Sequence, residues 1–310
     1  MEQENFPGQW TEDQWSLVQQ TVRDEARKVR VARSFLPVDG PLAPETDSVK
    51  IQPLIDGPGP GLRLPGEAQS RLEVDDRRTQ ALTNISVNVY LRNSQVAQPD
   101  LSSALSMFRR AANIIARCED RLIFQGQPAN LPGNYFNPIP SVFTVTTGGA
   151  QWFGLRQTGI FWPPRNVGDP PHRISVPGSR AGWNARGTNL FVNDVSAGVS
   201  RLENEGHLRP FVLVLGHTLF EIAHDPTLAL VMPADRIKPM LEGPLLRSST
   251  LPPFQGVLLS LAGDPFEVVV PSDISVKFLQ VTMEPRHVYR VSQRFTFRVK
   301  QAGAVISYIN

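Results

Sequence analysis

Within one short stretch, His217, Glu221, His224 and Asp225 carry the side chains of a metal site or an acid–base pair. On a helix the two histidines, seven apart, fall roughly on one face. A metal ion, however, needs three or four ligands in a fixed geometry, and the i, i+4 pair of a zincin helix is missing. The segment reads more simply as a solvated helix end or loop. Serine, histidine and aspartate all occur, but there is no Gly-x-Ser-x-Gly elbow for a nucleophile. Nor is there a phosphate-binding Gly-Lys loop or a dinucleotide fingerprint. The glycines of the run Gly57–Gly61 alternate with prolines, which lack the amides a phosphate cradle would use. Cys118 sits inside an apolar helical stripe and reads as core. Arg156, Arg165, Arg173, Arg180 and Arg186, with Trp152, Trp162 and Trp183, have the residue types of a nucleic-acid surface. Their density over 128–187 is thin, and tryptophans in such loops more often pin the loops together. No catalytic residue, metal or cofactor emerges, and the chain reads as a non-enzyme.

Composition agrees with a folded chain. Of 310 residues 41% are hydrophobic and 19% charged, and a net charge of +2 is too small to call for nucleic acid. The acidic first residues lack the apolar run of a signal peptide, and no apolar stretch is long enough to span a bilayer. One cysteine excludes an internal disulfide framework and suits a reducing cytoplasm. A cytoplasmic location is therefore expected, and the sequon Asn84-Ile85-Ser86 carries no weight. The 28 prolines predict many loops and few long helices.

The elements that would have to position any site follow from spacing. Thr11 to Gln14 fits a capping box, and Trp10 and Trp15 stand at the positions of a hydrophobic staple. Trp15, Val18, Val22, Ala26 and Val29 then form one apolar face, with Gln19, Arg23, Arg27 and Arg30 opposite. Pro37 should end this helix near Arg33–Phe35. Residues 40–70 alternate proline and glycine with short β-prone pieces and read as an extended arm or long hairpin. Ile85–Leu91 has strand alternation. A long helix starts at Asp100 and closes at Gly126, with an apolar stripe wide enough to be covered on two sides. Residues 128–187 are loop-dominated, with 18 prolines and glycines. Helical or strand signals return at Val192–Glu205, Phe211–Leu215, Thr218–His224 and in several strands from Gln255 to Ile309. The class is α+β.

Three blocks in this order resemble the encapsulin family of shell proteins. The first is Thr11, Gln14, Trp15, Arg33, Phe35, Val38, Gly40 and Pro41. The second is Asp100-Leu101-Ser102-Ser103 with Ala112, Glu119-Asp120, Ile123-Phe124 and Gly126. The third is Phe295-Thr296-Phe297 followed by Ala302. With Pro210–Leu215 they cover roughly half of the chain. The resemblance implies a phage-capsid-like fold: an N-terminal helix in 1–42, an extension loop in 43–82, a peripheral domain with a spine helix in 83–127, an axial domain in 128–272, and peripheral strands in 273–310. An insertion at about 133–185 is longer than in typical members. The implied function is self-assembly into an icosahedral nanocompartment around a cargo enzyme, a dye-decolorizing peroxidase or ferritin-like protein bearing a C-terminal targeting peptide. Val29, Arg30, Arg33, Phe35, Val38 and Asp39 would line the docking groove, with Arg30 and Asp39 at its rim and Arg33 open to charge reversal. His224, Asp225, Pro226 and Thr227 would approach a fivefold pore. Pro37 stands where members often carry an acid. Asn93–Ser94 replaces the aromatic by which some members hold a flavin, so no flavin is expected. The alternatives are a phage major capsid protein of the same fold and, from another class, a small enzyme using His217, Glu221 or Asp225.

Overall fold

The computed structural model describes residues 10–43, 45–57, 71–149, 151–161, 172–186, 189–226 and 231–310. The first helix, α1 (Glu12–Val29), opens on the anticipated capping box: Thr11 Oγ1 accepts from the Gln14 amide at 3.3 Å, and Gln14 Oε1 accepts from the Thr11 amide at 3.0 Å. Trp10 and Trp15 meet edge to face at 5.1 Å, and Trp10 also stacks on Tyr289 at 4.6 Å. Val18, Val22 and Ala26 are buried. The helix stops at Val29, several residues before the expected end, and a 3-10 turn follows at Ala32–Ser34. The cause lies far along the chain. Asp120 accepts from the Val31 and Ala32 amides at 2.8 and 3.0 Å, and so starts a new turn there.

β1 (Val38–Asp39) comes next, and Gly40 follows at φ +145°, where a Cβ would stand 2.1 Å from the Val270 carbonyl oxygen. The arm is a long hairpin of two antiparallel ladders. β2 (Ser48–Lys50), β3 (Leu54–Gly57), β4 (Arg71–Val74) and β5 (Thr79–Ala81) pair as β2 with β5 and β3 with β4. Its base is fastened by the Gln80 side chain on Thr296 and Phe297, and by Arg294 on the Thr46 carbonyl and Asp47. Further out, Leu72 is 77% exposed.

β6 (Thr83–Arg92) alternates as its sequence demands and leads through α2 (Asn93–Val96) to the spine helix α3 (Ser102–Gln125), buried along much of its length. Gly126 caps α3 at φ +84°, with Gln157 Oε1 2.1 Å from where a Cβ would be. After β7 (Phe143–Thr146) come α4 (Leu155–Phe161), β8 (Arg173–Ser175), α5 (Arg180–Arg186), α6 (Asn189–Asn204), β9 (Phe211–Leu215), α7 (His217–His224), α8 (Pro233–Leu241), β10 (Leu245–Arg247) and β11 (Gly256–Ser260). The long hairpin β12 (Phe266–Val281) and β13 (Arg286–Val299) and the last strand β14 (Val305–Ile309) complete the chain.

Two five-stranded sheets result, in the orders β1-β12-β13-β6-β7 and β10-β9-β11-β14-β8. The boundaries drawn from sequence at 128–272 and 273–310 are therefore crossed three times, once by β12 itself, which runs from Phe266 to Val281. β7 pairs with β6 and belongs to the first sheet, while β14 pairs with β11 and belongs to the second. Local pattern cannot show this, because strand pairing is a choice of partner and not of conformation. The sheets share a core. On β9, Val212 and Val214 face the cluster around α3, whereas Phe211, Leu213 and Leu215 face a second cluster beneath α6, α7 and α8. A strand covered on both faces needs an unbroken apolar run, and Phe211–Leu215 supplies one.

Candidate functional site

The expected groove lies where α1 runs out beside the C-terminal third of α3. Val29 and Phe35 are half-buried against the core, and Val38 on the edge strand β1 is 48% exposed. Arg30 and Arg33 do not stand at a rim. Their side chains are 5% and 11% exposed, and both reach the fully buried Glu119, Arg30 Nε at 2.7 Å and Arg33 Nε at 2.5 Å. Each also donates Nη1 to Asp273 Oδ1 at 3.4 Å, and Arg30 Nη2 reaches Gln293 Oε1. Asp39 is tied to Arg298 at 3.4 Å, and Arg298 in turn to Glu267. Arg30, expected on the solvent face of the helix, is thus folded beneath it. Past Val29 the chain leaves helical geometry, and the helical face no longer dictates the side chain's direction.

Glu119 and Asp120 were present in the sequence as family markers without a role. They are the fastening of α1 to the spine. One signal was available: two adjacent carboxylates in an otherwise apolar stretch of a core helix must find cations or amides, since an isolated buried charge is prohibitively costly. Burial pushes the Asp120 carboxyl up to about 7. The Val31 and Ala32 amides oppose this, and the Glu119 charge adds to it. Burial also acts against ionising Asp273, but Arg30, the Ile274 amide and Arg33 together outweigh it and hold that carboxyl below its usual range.

At the other candidate region, α7 ends in His224, whose Nδ1–H donates to the Phe220 carbonyl at 2.8 Å while its ring lies 4.2 Å from the Phe220 ring. Arg180 spans the two nearby acids, with Nη2 at 2.7 Å from Asp225 Oδ2 and Nη1 at 3.2 Å from Glu221 Oε2. The acids thus meet an arginine of α5 and not the histidines. Pro226 is exposed, and Thr227 lies outside the described residues, as do Trp162 and Arg165. Among the described residues no group of three or more His, Cys, Asp or Glu could hold a metal ion. Among them, too, no helix is long and apolar enough to cross a membrane. Cys118 is fully buried, which pushes its thiol well above the ordinary range. Asn93 accepts from His287 Nε2 at 2.9 Å.

A spine helix beneath one sheet, a second sheet sharing its core, and a long hairpin arm define the fold of the tailed-phage capsid proteins. The chain is similar, with a TM-score of 0.62 at 12% identity, to the virus-like particle from Pyrococcus furiosus, over 96% of this chain and 99% of that one. The capsid of Myoviridae phage XM1 matches at TM-score 0.58 and 10% identity, over 90% and 91% of the two chains. Within that class the family is settled by sequence. The model of the family described as encapsulating protein for peroxidase, Linocin_M18, matches residues 3–134 and 178–296, and the chain belongs to this encapsulin family. A type 1 encapsulin shell protein, EncA of Myxococcus xanthus, is 22% identical over 95% of this chain and 91% of its own length.

Proposed function

We propose that the chain self-assembles into a closed icosahedral shell in the cytoplasm, encloses a cargo enzyme, and leaves the chemistry to that cargo. The observation that carries this is the arm. Its outer ladder β3–β4 has little core of its own, and Leu72 and Val74 are exposed on it, a waste of apolar surface unless another copy covers them. Purified protein should elute near the void volume and show uniform cages by negative-stain microscopy. Small oligomers only would sink the reading. Cages filled with nuclease-sensitive DNA would indicate instead a phage capsid protein. Deleting 49–72 should abolish cages and leave soluble aggregates or small oligomers; intact cages from that deletion would count against the role given to the arm.

For cargo, the proposal is a dye-decolorizing peroxidase or ferritin-like protein whose targeting peptide docks on Val29, Phe35 and Val38, with Asp39 beside them and Arg30 and Arg33 as the floor. A free peptide must recover its ordering cost through buried apolar anchors. The exposed part of Val38, on an edge strand, is such a contact. Val38→Glu is accordingly the variant of choice, because the side chain supports little of the core. Normal cages that lose copurified cargo by mass spectrometry are expected, and undiminished loading would move docking elsewhere. The turn His224, Asp225, Pro226 and Thr227 is assigned to the fivefold pore on the family resemblance. Ion flux into loaded shells whose pH dependence is identical for wild type and His224→Ala would remove His224 from it.

A further inference from the structure

Among the described residues, three arginines on the spine helix and α4 have no carboxylate partner, and two of them reach the turn 248–255. Arg117 and Arg121 stand one helical turn apart on α3, and Arg156, on α4, is close enough for its charge to act on Arg121. Arg121 donates Nη1 to the Thr250 carbonyl at 2.9 Å, and its guanidinium lies 5.6 Å over the Tyr135 ring. Arg156 donates Nη1 to Gln255 Oε1 at 3.1 Å. Both acceptors are neutral. The Nε–H groups of all three arginines are shut off from solvent and have no hydrogen-bond partner among the described residues. Arg33 Nη2 and Arg298 Nε are likewise buried without a partner, but each of those guanidinium groups has a carboxylate beside it, Glu119 and Glu267. Burial pulls Arg121 and Arg156 below the arginine range, and for Arg121 the charge of Arg156 adds to this while Tyr135 opposes it.

We propose that Arg117, Arg121 and Arg156 form a binding site for a small tetrahedral oxyanion of the phosphate class. Each guanidinium offers five N–H donors in a planar fork that matches such an anion, and only one on Arg121 and one on Arg156 is engaged among the described residues. A dianion would offset the positive charge that no side chain among the described residues neutralises there. Because Arg121 and Arg156 already hold the 248–255 turn, the anion would brace the seam between the spine helix and the second sheet.

The test is calorimetric titration of the purified shell with inorganic phosphate in low-salt chloride buffer, against sodium chloride of matched ionic strength. The expected result is a saturable heat and a rise in Tm that chloride does not reproduce. Arg121→Gln and Arg156→Gln should each weaken phosphate at least tenfold, with cage size by light scattering unchanged. Arg117→Gln, which removes no hydrogen bond seen among the described residues, carries the test if the other two fail to assemble, and it too should weaken phosphate. Absence of any phosphate-specific response in wild type would overturn the proposal, as would undiminished binding in the variants. A silent wild type whose Gln variants assemble poorly would assign the arginines to a carboxylate of a neighbouring copy and equally overturn it. The site lies within one chain, so a protein that bound phosphate but formed no shell would fail the proposed function and not this one.

Discussion

Two arginine–carboxylate clusters in this molecule use the same chemistry in opposite settings. At the end of α1, Arg30 and Arg33 converge on Glu119, whose side chain is fully buried. Beside α7, Arg180 spans Glu221 and Asp225, and all three side chains are about half exposed, at 49%, 51% and 46%. In the first cluster Glu119 and the two guanidinium groups are nearly shut off from water, and only Asp273 reaches it, so losing Glu119 strands both arginines. In the second, water competes with every contact, and salt screens what remains. A short ion pair is therefore a poor guide to importance. What surrounds it decides whether it holds the fold or merely decorates it.

The largest expected effect comes from breaking the buried cluster at its shared acid. Glu119→Gln should destabilise the chain by on the order of 3–5 kcal/mol, since two guanidinium groups lose their common partner. Denaturant unfolding of soluble protein would read this as a lower midpoint at unchanged slope. Arg33→Glu should be comparably damaging, because it brings a second carboxylate against Glu119 where no water can separate them. If either variant unfolds like wild type, the cluster is not the clamp that its burial implies.

Asp120 sharpens the comparison through pH. Its folded-state value of about 7 lies above the ordinary aspartate value, so between those two the folded chain binds more protons than the unfolded one. Stability from this group therefore increases as pH falls, by about 2 kcal/mol between pH 7 and pH 5. Asp273 works in the other direction and in another window. Its lowered value stabilises above the ordinary carboxylate range and is lost only in more acid solution. Asp120→Asn should flatten the pH 5–7 slope of the unfolding midpoint while leaving the acid limb below about pH 4 in place. A slope that survives the substitution would assign it to another group.

The smallest effect is reserved for the exposed cluster. Arg180→Ala should cost less than about 1 kcal/mol, and that cost should vanish in high salt. It would also free two carboxylates beside His224, so it tests the proposed pore charge with little interference from folding. A large, salt-independent loss of stability would put Arg180 in the same category as Arg33.

The sequence by itself determined whatever closes within one turn or one strand. The Thr11–Gln14 box, the Trp10–Trp15 staple, the period of α3, the stop at Gly126 and the alternation of β6 all depend on residues a few positions apart. They were readable because backbone geometry fixes which of those side chains become neighbours. The prolines and glycines left the arm as either extended or a long hairpin, and the pairing of β2 with β5 and β3 with β4 decided for the hairpin. Eight short elements in weakly patterned stretches, β1, α2, β7, α4, β8, α5, α8 and β10, were not readable. Only the tertiary structure decided that β14 leaves the first sheet for the second, and that α1 ends at Val29. It alone turned Arg30 and Arg33 inward, because their partners Glu119 and Asp273 lie at least 86 residues away in the chain. A charged residue near a helix end looks the same in sequence whether water or a distant carboxylate awaits it. Its energy depends on which of the two it meets, and that is settled when the sheets and the spine close around it.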